Sequence, residues 1–181
     1  MKNKMNHLKR YSVKQSMFRR RSKFGFSLLE VIIAIFILVM GLSAIMALIA
    51  QSMKSSSISS SRLIAANLAQ EGIEVVRNIR DINYDDDSGW RNWYDSLVSG
   101  DYIVQYNDDY LQSFSDSFLN YNSSSGLYSY NSGTPSVFKR KITLSGISSI
   151  KASVTCVVTW TENNQLHSIT MEEQLWDWRS V

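Results

Sequence analysis

The sequence predicts an α+β fold, with one long N-terminal helix packed on a small C-terminal antiparallel sheet. Two patterns carry this expectation. Residues Val31 to Ala50 form an uncharged apolar run, and apolar positions then recur at helical spacing from Leu63 to Arg80. Beyond Phe138 the period falls to two, and apolar residues alternate with polar ones along Lys151 to Trp160. A chain of 181 residues is the usual size of one domain, and 44% hydrophobic and 12% aromatic residues supply a core. Wholesale disorder is excluded on the same grounds.

The formal charge of +3 is unevenly spread. Residues 1–25 hold nine Lys/Arg and no acid, whereas the remainder holds ten against sixteen Asp/Glu. Apart from its basic head the chain is acidic and suits phosphates poorly, so no nucleic-acid partner is expected. Cys156 is the single cysteine and cannot form an intrachain disulfide. The two histidines are His7, in the basic head, and His167, and no HExxH, CxxC, GxxxxGK or GxSxG occurs. The expectation is therefore no enzyme, no catalytic residue, no cofactor and no metal.

The twenty residues from Val31 to Ala50 are broken in polarity only by Gly41 and Ser43. As a helix they extend about 30 Å, enough to span a hydrocarbon core. Arg19, Arg20, Arg21 and Lys23 precede them, which by the positive-inside rule holds the N-terminus in the cytoplasm and turns residues from about 51 outward. A cleaved secretory signal fits less well, because the apolar run is long and no A-x-A site follows. A plain single-pass anchor leaves Glu30 unexplained. An unpaired carboxylate costs about 2–3 kcal/mol at the bilayer centre, so Glu30 calls for a cation. The candidates are Lys23 and any new amine made by cutting the chain nearby.

Gly25-Phe26-Ser27-Leu28-Leu29-Glu30, between a basic leader and an apolar helix, resembles the cleavage and methylation motif of type IV prepilins. The resemblance implies a pilin-like fold and a defined processing step. Prepilin peptidase cuts after Gly25, Phe26 becomes the N-methylated N-terminus, and Glu30 pairs with the terminal amine of a neighbouring subunit during assembly. It divides the chain into a leader at 1–25, a transmembrane and assembly half-helix at 26–50, and an extracytoplasmic globular domain at 51–181. The implied partners are prepilin peptidase, other pilin subunits, the pilus assembly machinery and the cytoplasmic membrane. Two departures point from a major toward a minor pilin. The only proline is Pro135, far from the apolar helix that many pilins bend, and Cys156 has no partner for a C-terminal loop disulfide. The stretch LIAANLAQEGIEVVRNIRD also resembles minor pilins of the pilus-modification type, with a role in assembly, tip or modification. The alternatives are a pseudopilin of a type II secretion or DNA-uptake system, a tip adhesin, and an unprocessed single-pass membrane protein.

The serine run at 51–62 reads either as a linker or as a continuing helix. The second reading gives one helix from about 27 to 80, about 80 Å long. Its second half carries a stripe of Ile64, Leu68, Val75 and Ile79, with Gly72 beside it where another element can approach closely. Residues 81–136 are loop-rich and hold eight of the nine tyrosines, with one short strand at about Tyr102 to Tyr106. Asp81, Asp85, Asp86 and Asp87 offer hard oxygen ligands that suit calcium, but they lack the spacing of an EF-hand loop and read first as a solvated turn. The tyrosines read as domain packing ahead of an adhesive surface. Strands are expected at Phe138–Leu144, Lys151–Trp160 and Leu166–Trp176, the last two joined by a turn at Glu162 to Gln165. Ala152, Val154, Cys156, Val158 and Trp160 face the helix stripe. Cys156 is then a buried small hydrophobe, His167 an exposed strand residue, and Lys139-Arg140-Lys141 a solvated strand end.

Overall fold

The computed structural model describes residues 25–83, 95 and 97–177. Backbone contacts divide the chain after Leu48 into two units, which are described separately. One helix, α1 (Leu28–Ile82), supplies most of the described first unit and the opening of the second. The serine run is helical throughout, so the linker reading is set aside.

In the second unit, α1 packs on a five-stranded antiparallel sheet of order β2-β1-β6-β7-β8. Its members are β1 (Gly100–Ile103), β2 (Gln112–Ser113), β6 (Phe138–Ser145), β7 (Lys151–Glu162) and β8 (Gln165–Trp176). The alternation along β7 places Ala152, Val154, Cys156, Val158 and Trp160 inward, as expected. β7 and β8 meet through Asn163 and Asn164, both at positive φ (53° and 59°), a two-residue turn whose twist suits a hairpin. The buried stripe of α1 is centred on Ala65, Leu68, Ala69, Gly72, Val76 and Ile79. Ile64, expected within it, lies at its edge and is only partly buried. The difference is physical: small residues at the middle of the stripe let the sheet come close, and larger ones flank it.

Gly72 marks the closest approach. A Cβ there would lie 2.9 Å from Cys156 Sγ, 3.0 Å from Arg140 Cδ and 3.2 Å from Ile142 Cδ1. The Cys156 side chain is fully buried, and burial pushes its thiol up to about 12, so it stays protonated and packs as a hydrophobe.

Arg140 corrects the reading of Lys139-Arg140-Lys141 as a solvated strand end. On β6 the inward positions are Phe138, Arg140, Ile142 and Leu144, and Arg140 is only 1% exposed. Its guanidinium donates to Leu68 O (2.9 Å) and Glu71 Oε1 (2.9 Å) on α1, and to Val104 O (2.6 Å) after β1. Desolvating a guanidinium is costly, and these acceptors offset the cost. Val104 O is therefore taken by a side chain, which explains why β1 stops at Ile103 rather than reaching Tyr106. A tight turn follows, in which Asp108 N donates to Gln105 O (3.1 Å) and Gln105 N to Asp108 Oδ2 (2.9 Å).

The segment read as loop contains a second sheet, of order β4-β3-β5, built from β3 (Asn120–Asn122), β4 (Leu127–Ser129) and β5 (Thr134–Pro135). Its strands are too short for alternation to register, and Pro135 sits where a missing N–H is tolerated, on an edge strand. Gly133 is at φ 109°, and a Cβ there would lie 2.5 Å from Tyr121 O, so a side chain is excluded. The tyrosines divide. Tyr102, Tyr128 and Tyr130 pack against the core, while Tyr106, Tyr110 and Tyr121 are exposed. Burial raises the Tyr130 phenol, whose hydroxyl donates to Arg140 O (3.2 Å). Asp85, Asp86 and Asp87 lie outside the described residues, and Asp81 pairs with Arg80 (2.7 Å).

Gly72→Ala gains about 1 kcal/mol of helix propensity, yet overpacking costs about 1–3 kcal/mol, so thermal unfolding followed by tryptophan fluorescence should show net destabilisation. Adding Cys156→Ala should make the double variant more stable than the sum of the single changes by about 0.5 kcal/mol or more. Arg140→Ala should cost about 3 kcal/mol by stranding Glu71 and the carbonyl of Val104. Arg140→Lys should recover part of that loss, because one ammonium keeps the charge but not the fork. Equal losses for Ala and Lys in the same unfolding experiment would assign the effect to shape rather than charge.

Candidate functional site

The residues singled out by the sequence lie together at the start of α1. Gly25, Phe26 and Ser27 precede the helix, and Leu28 opens it, one residue later than expected. The reason lies in Ser27, whose carbonyl accepts the first helical bond from Val31 N (3.2 Å). Ser27 is thus the N-cap, and Glu30 falls at the third helical position, the Ser-x-x-Glu spacing of a capping box. That spacing is visible in the sequence, where attention to Glu30 as a membrane anomaly hides it. A carboxylate in the first turn also offsets the positive end of the helix, which stabilises it by about 0.3–1 kcal/mol.

Gly25, Phe26 and Glu30 are all exposed, Phe26 at 79%. Among the described residues, its chain neighbours aside, no atom lies within 4 Å of where a Gly25 Cβ would stand. A shallow depression of about 360 Å³ follows the helix from Ser27 and Glu30 past Ile33 and Ala34 to Ile37. Its lining is apolar except at the end where Ser27 and Glu30 stand.

Every residue from Leu28 to Ala50 is exposed. Sixteen large apolar side chains lie between Leu28 and Ile49. At about 1.5–3 kcal/mol each, covering them releases on the order of 30 kcal/mol. This part of α1 is long and apolar enough to cross a membrane. Beyond Glu30 its one polar side chain, Ser43, donates to Val39 O (2.8 Å) and so presents no unsatisfied hydroxyl to lipid.

Other candidate groups take structural places. His167 is half-buried rather than exposed and stacks on Trp160, with ring centroids 5.3 Å apart. Glu162, on the same face of the hairpin, accepts from Ser57 Oγ (2.5 Å), and that hydroxyl holds its carboxyl below the usual range. Among the described residues no three His, Cys, Asp or Glu side chains gather as a metal would require.

Residues 20–49 match the family described as the prokaryotic N-terminal methylation motif. No curated protein and no solved structure matches the chain. The motif implies processing by prepilin peptidase and assembly with pilin subunits, and with the apolar helix it fits a membrane-anchored protein that ends up in a pilus. The type IV prepilin-like signal at residues 20–49, followed by a long helix packed on antiparallel sheets, supports a type IV pilin-like or pseudopilin protein.

Proposed function

We propose that the chain is a minor type IV pilin, a structural subunit without enzymatic activity that acts in assembly, at the tip or in modification of a pilus. The observation that carries the reading is the wholly exposed apolar start of α1, set directly behind a cleavage motif. Such a surface is held in the cytoplasmic membrane first, with the basic leader in the cytoplasm, and is then covered by the helices of other subunits. The minor role is supported by the lone, buried Cys156 and by the place of Pro135 in β5 rather than in α1.

Hydrolysis of the Gly25–Phe26 bond leaves an ammonium on Phe26, which is then methylated. The exposure of both residues ahead of the helix supports access by the peptidase. The new charge stands beside the positive end of α1, where it is disfavoured, and Glu30 is the nearest carboxylate along the chain. Pairing the ammonium with a Glu30 carboxylate lets both enter a low-dielectric filament core.

Co-expression with a prepilin peptidase, followed by intact-mass measurement and N-terminal sequencing, should show loss of residues 1–25 and one added methyl group on Phe26. A full-length chain beside an active peptidase removes the basis of the proposal. Glu30→Ala should leave membrane insertion unchanged and lower recovery in sheared filaments by about tenfold or more, because an ammonium buried alone costs several kcal/mol. Wild-type recovery of that variant would show that the pairing does not drive incorporation.

A further inference from the structure

The outward face of the large sheet carries a second feature that the N-terminal signal does not explain. On β6 the outward residues are Lys139, Lys141 and Thr143, which pair across the ladder with Thr159, Val157 and Thr155 of β7. The segment after β2 crosses beside this face and leaves a groove of about 230 Å³, lined by Phe114, Asp116, Ser117, Lys139, Val157 and Thr159 among others. One wall is aromatic, and most of the rest is hydroxyl, carboxylate and ammonium.

Charge decides what suits it. Lys139 Nζ pairs with Asp116 (2.7 Å) and Lys141 Nζ with Asp101 (3.1 Å). Asp101 also accepts from Thr143 Oγ1 (2.6 Å), and these bonds hold its carboxyl below the usual range. With Arg140 turned inward to Glu71, each member of the Lys139-Arg140-Lys141 run is neutralised by its own carboxylate. The groove therefore offers no net positive field to a polyanion, and its complement is an uncharged ligand.

Phe114 in the groove is 42% exposed and Phe118, which does not line it, is 49% exposed; the ammonium groups of Lys141 and Lys139 stand over their rings at 5.9 and 4.7 Å. Each ring thus has an ammonium within cation–π range while about half its surface stays open. An open aromatic platform flanked by hydroxyls and a carboxylate suits a ligand with an apolar face and a polar rim. A sugar ring has that shape. The volume is below the usual range for drug-sized ligands and suits a single saccharide unit. A further depression of about 270 Å³ lies between β7 and β8, where Thr155 and Ser153 stand opposite Glu172 and Gln174 on this face.

We propose that this face is a binding site for neutral oligosaccharide, with Phe114 as the stacking platform and Thr159 and Asp116 as hydrogen-bonding partners. The site is independent of how the N-terminus is processed, so its test is separate from that of the pilin reading. The full chain in micelles of lauryldimethylamine oxide, which carries no sugar, is titrated with cellotetraose, maltotetraose and tetra-N-acetylchitotetraose, and separately with heparin. Saturation-transfer NMR should detect at least one neutral tetrasaccharide with a millimolar or tighter Kd. Phe114→Ala should weaken it by about tenfold, Thr159→Val by about threefold, and Tyr110→Ala, outside the groove, should leave it unchanged. The circular dichroism spectrum of each variant reports whether it folds, and Thr159→Val reads the groove if Phe114→Ala does not. The proposal is overturned if none of the three sugars binds at about 10 mM, if heparin binds in preference, or if neither groove variant changes the affinity.

Discussion

The contact between Gly72 and Arg140 is the constraint on which the second unit depends. A guanidinium inside a small core is tolerated only when its charge and most of its donors are answered, and here both terminal nitrogens are answered from two directions at once, while Nε stays unpaired. Leu68 O and Glu71 bind it to α1, and Val104 O binds it to the turn after β1. To reach them the side chain must pass α1 at a place without a Cβ, which is the place Gly72 provides. The requirement spreads outward. Val104 is withdrawn from β1, Gln105 is fixed in its turn by Asp108, and the Gln105 side chain then accepts from Tyr130 N (3.0 Å). Tyr130 returns a hydroxyl to Arg140 O, so both sheets are tied to one charged group. Neighbouring apolar packing fills space around this network, but the network sets which strand lies where.

One helix carries two kinds of surface, and its composition changes from one to the other. From Leu28 to Ala50 apolar residues occupy every side, as lipid or a bundle of like helices requires. From Ala65 to Ile79 they occupy one stripe, and the opposite side carries Asn67, Gln70, Glu74 and Asn78. The serines between the two stretches belong fully to neither. Their side chains are too short to demand lipid and polar enough to accept water, and Ser57 reaches across to Glu162. A helix can run through such a stretch because its backbone bonds are internal, whatever surrounds it.

This division also explains what was legible in the sequence. The alternation from Lys151 to Trp160 and the periodicity of Leu63 to Arg80 are local properties, and both elements follow from them. The partnership of Gly72 with a close neighbour is legible too, since a glycine beside an apolar stripe has few other uses. Arg140 is hidden by residue type: three basic residues together read as solvent-facing. The parity of β6 nonetheless decides it, because Ile142 and Leu144 face inward and Arg140 shares their parity. The small sheet is illegible for another reason. Strands of two or three residues have no period to detect, and their pairing depends on Gly133 and on contacts distant in sequence. At the N-terminus the Gly25–Glu30 motif is plain, while the cap formed by Ser27 is overshadowed by the glutamate that shares its spacing.

That shared spacing has an electrostatic consequence. In the intact chain, Glu30 sits in the first turn of α1 and is stabilised by the exposed N–H groups of its own helix. In the proposed processed chain an ammonium appears just before the cap, at the same positive end. The carboxylate then has two favourable neighbours and the ammonium one, with the helix end set against it. Within a single subunit the ammonium is therefore the charge short of compensation. In a low-dielectric surrounding that deficit is relieved by a carboxylate from outside the subunit, and a second copy of Glu30 is one that an adjacent helix of the same design can bring. The first-turn position and the proposed pairing role are thus two uses of one carboxylate, and the second would become pressing only once the chain is cut.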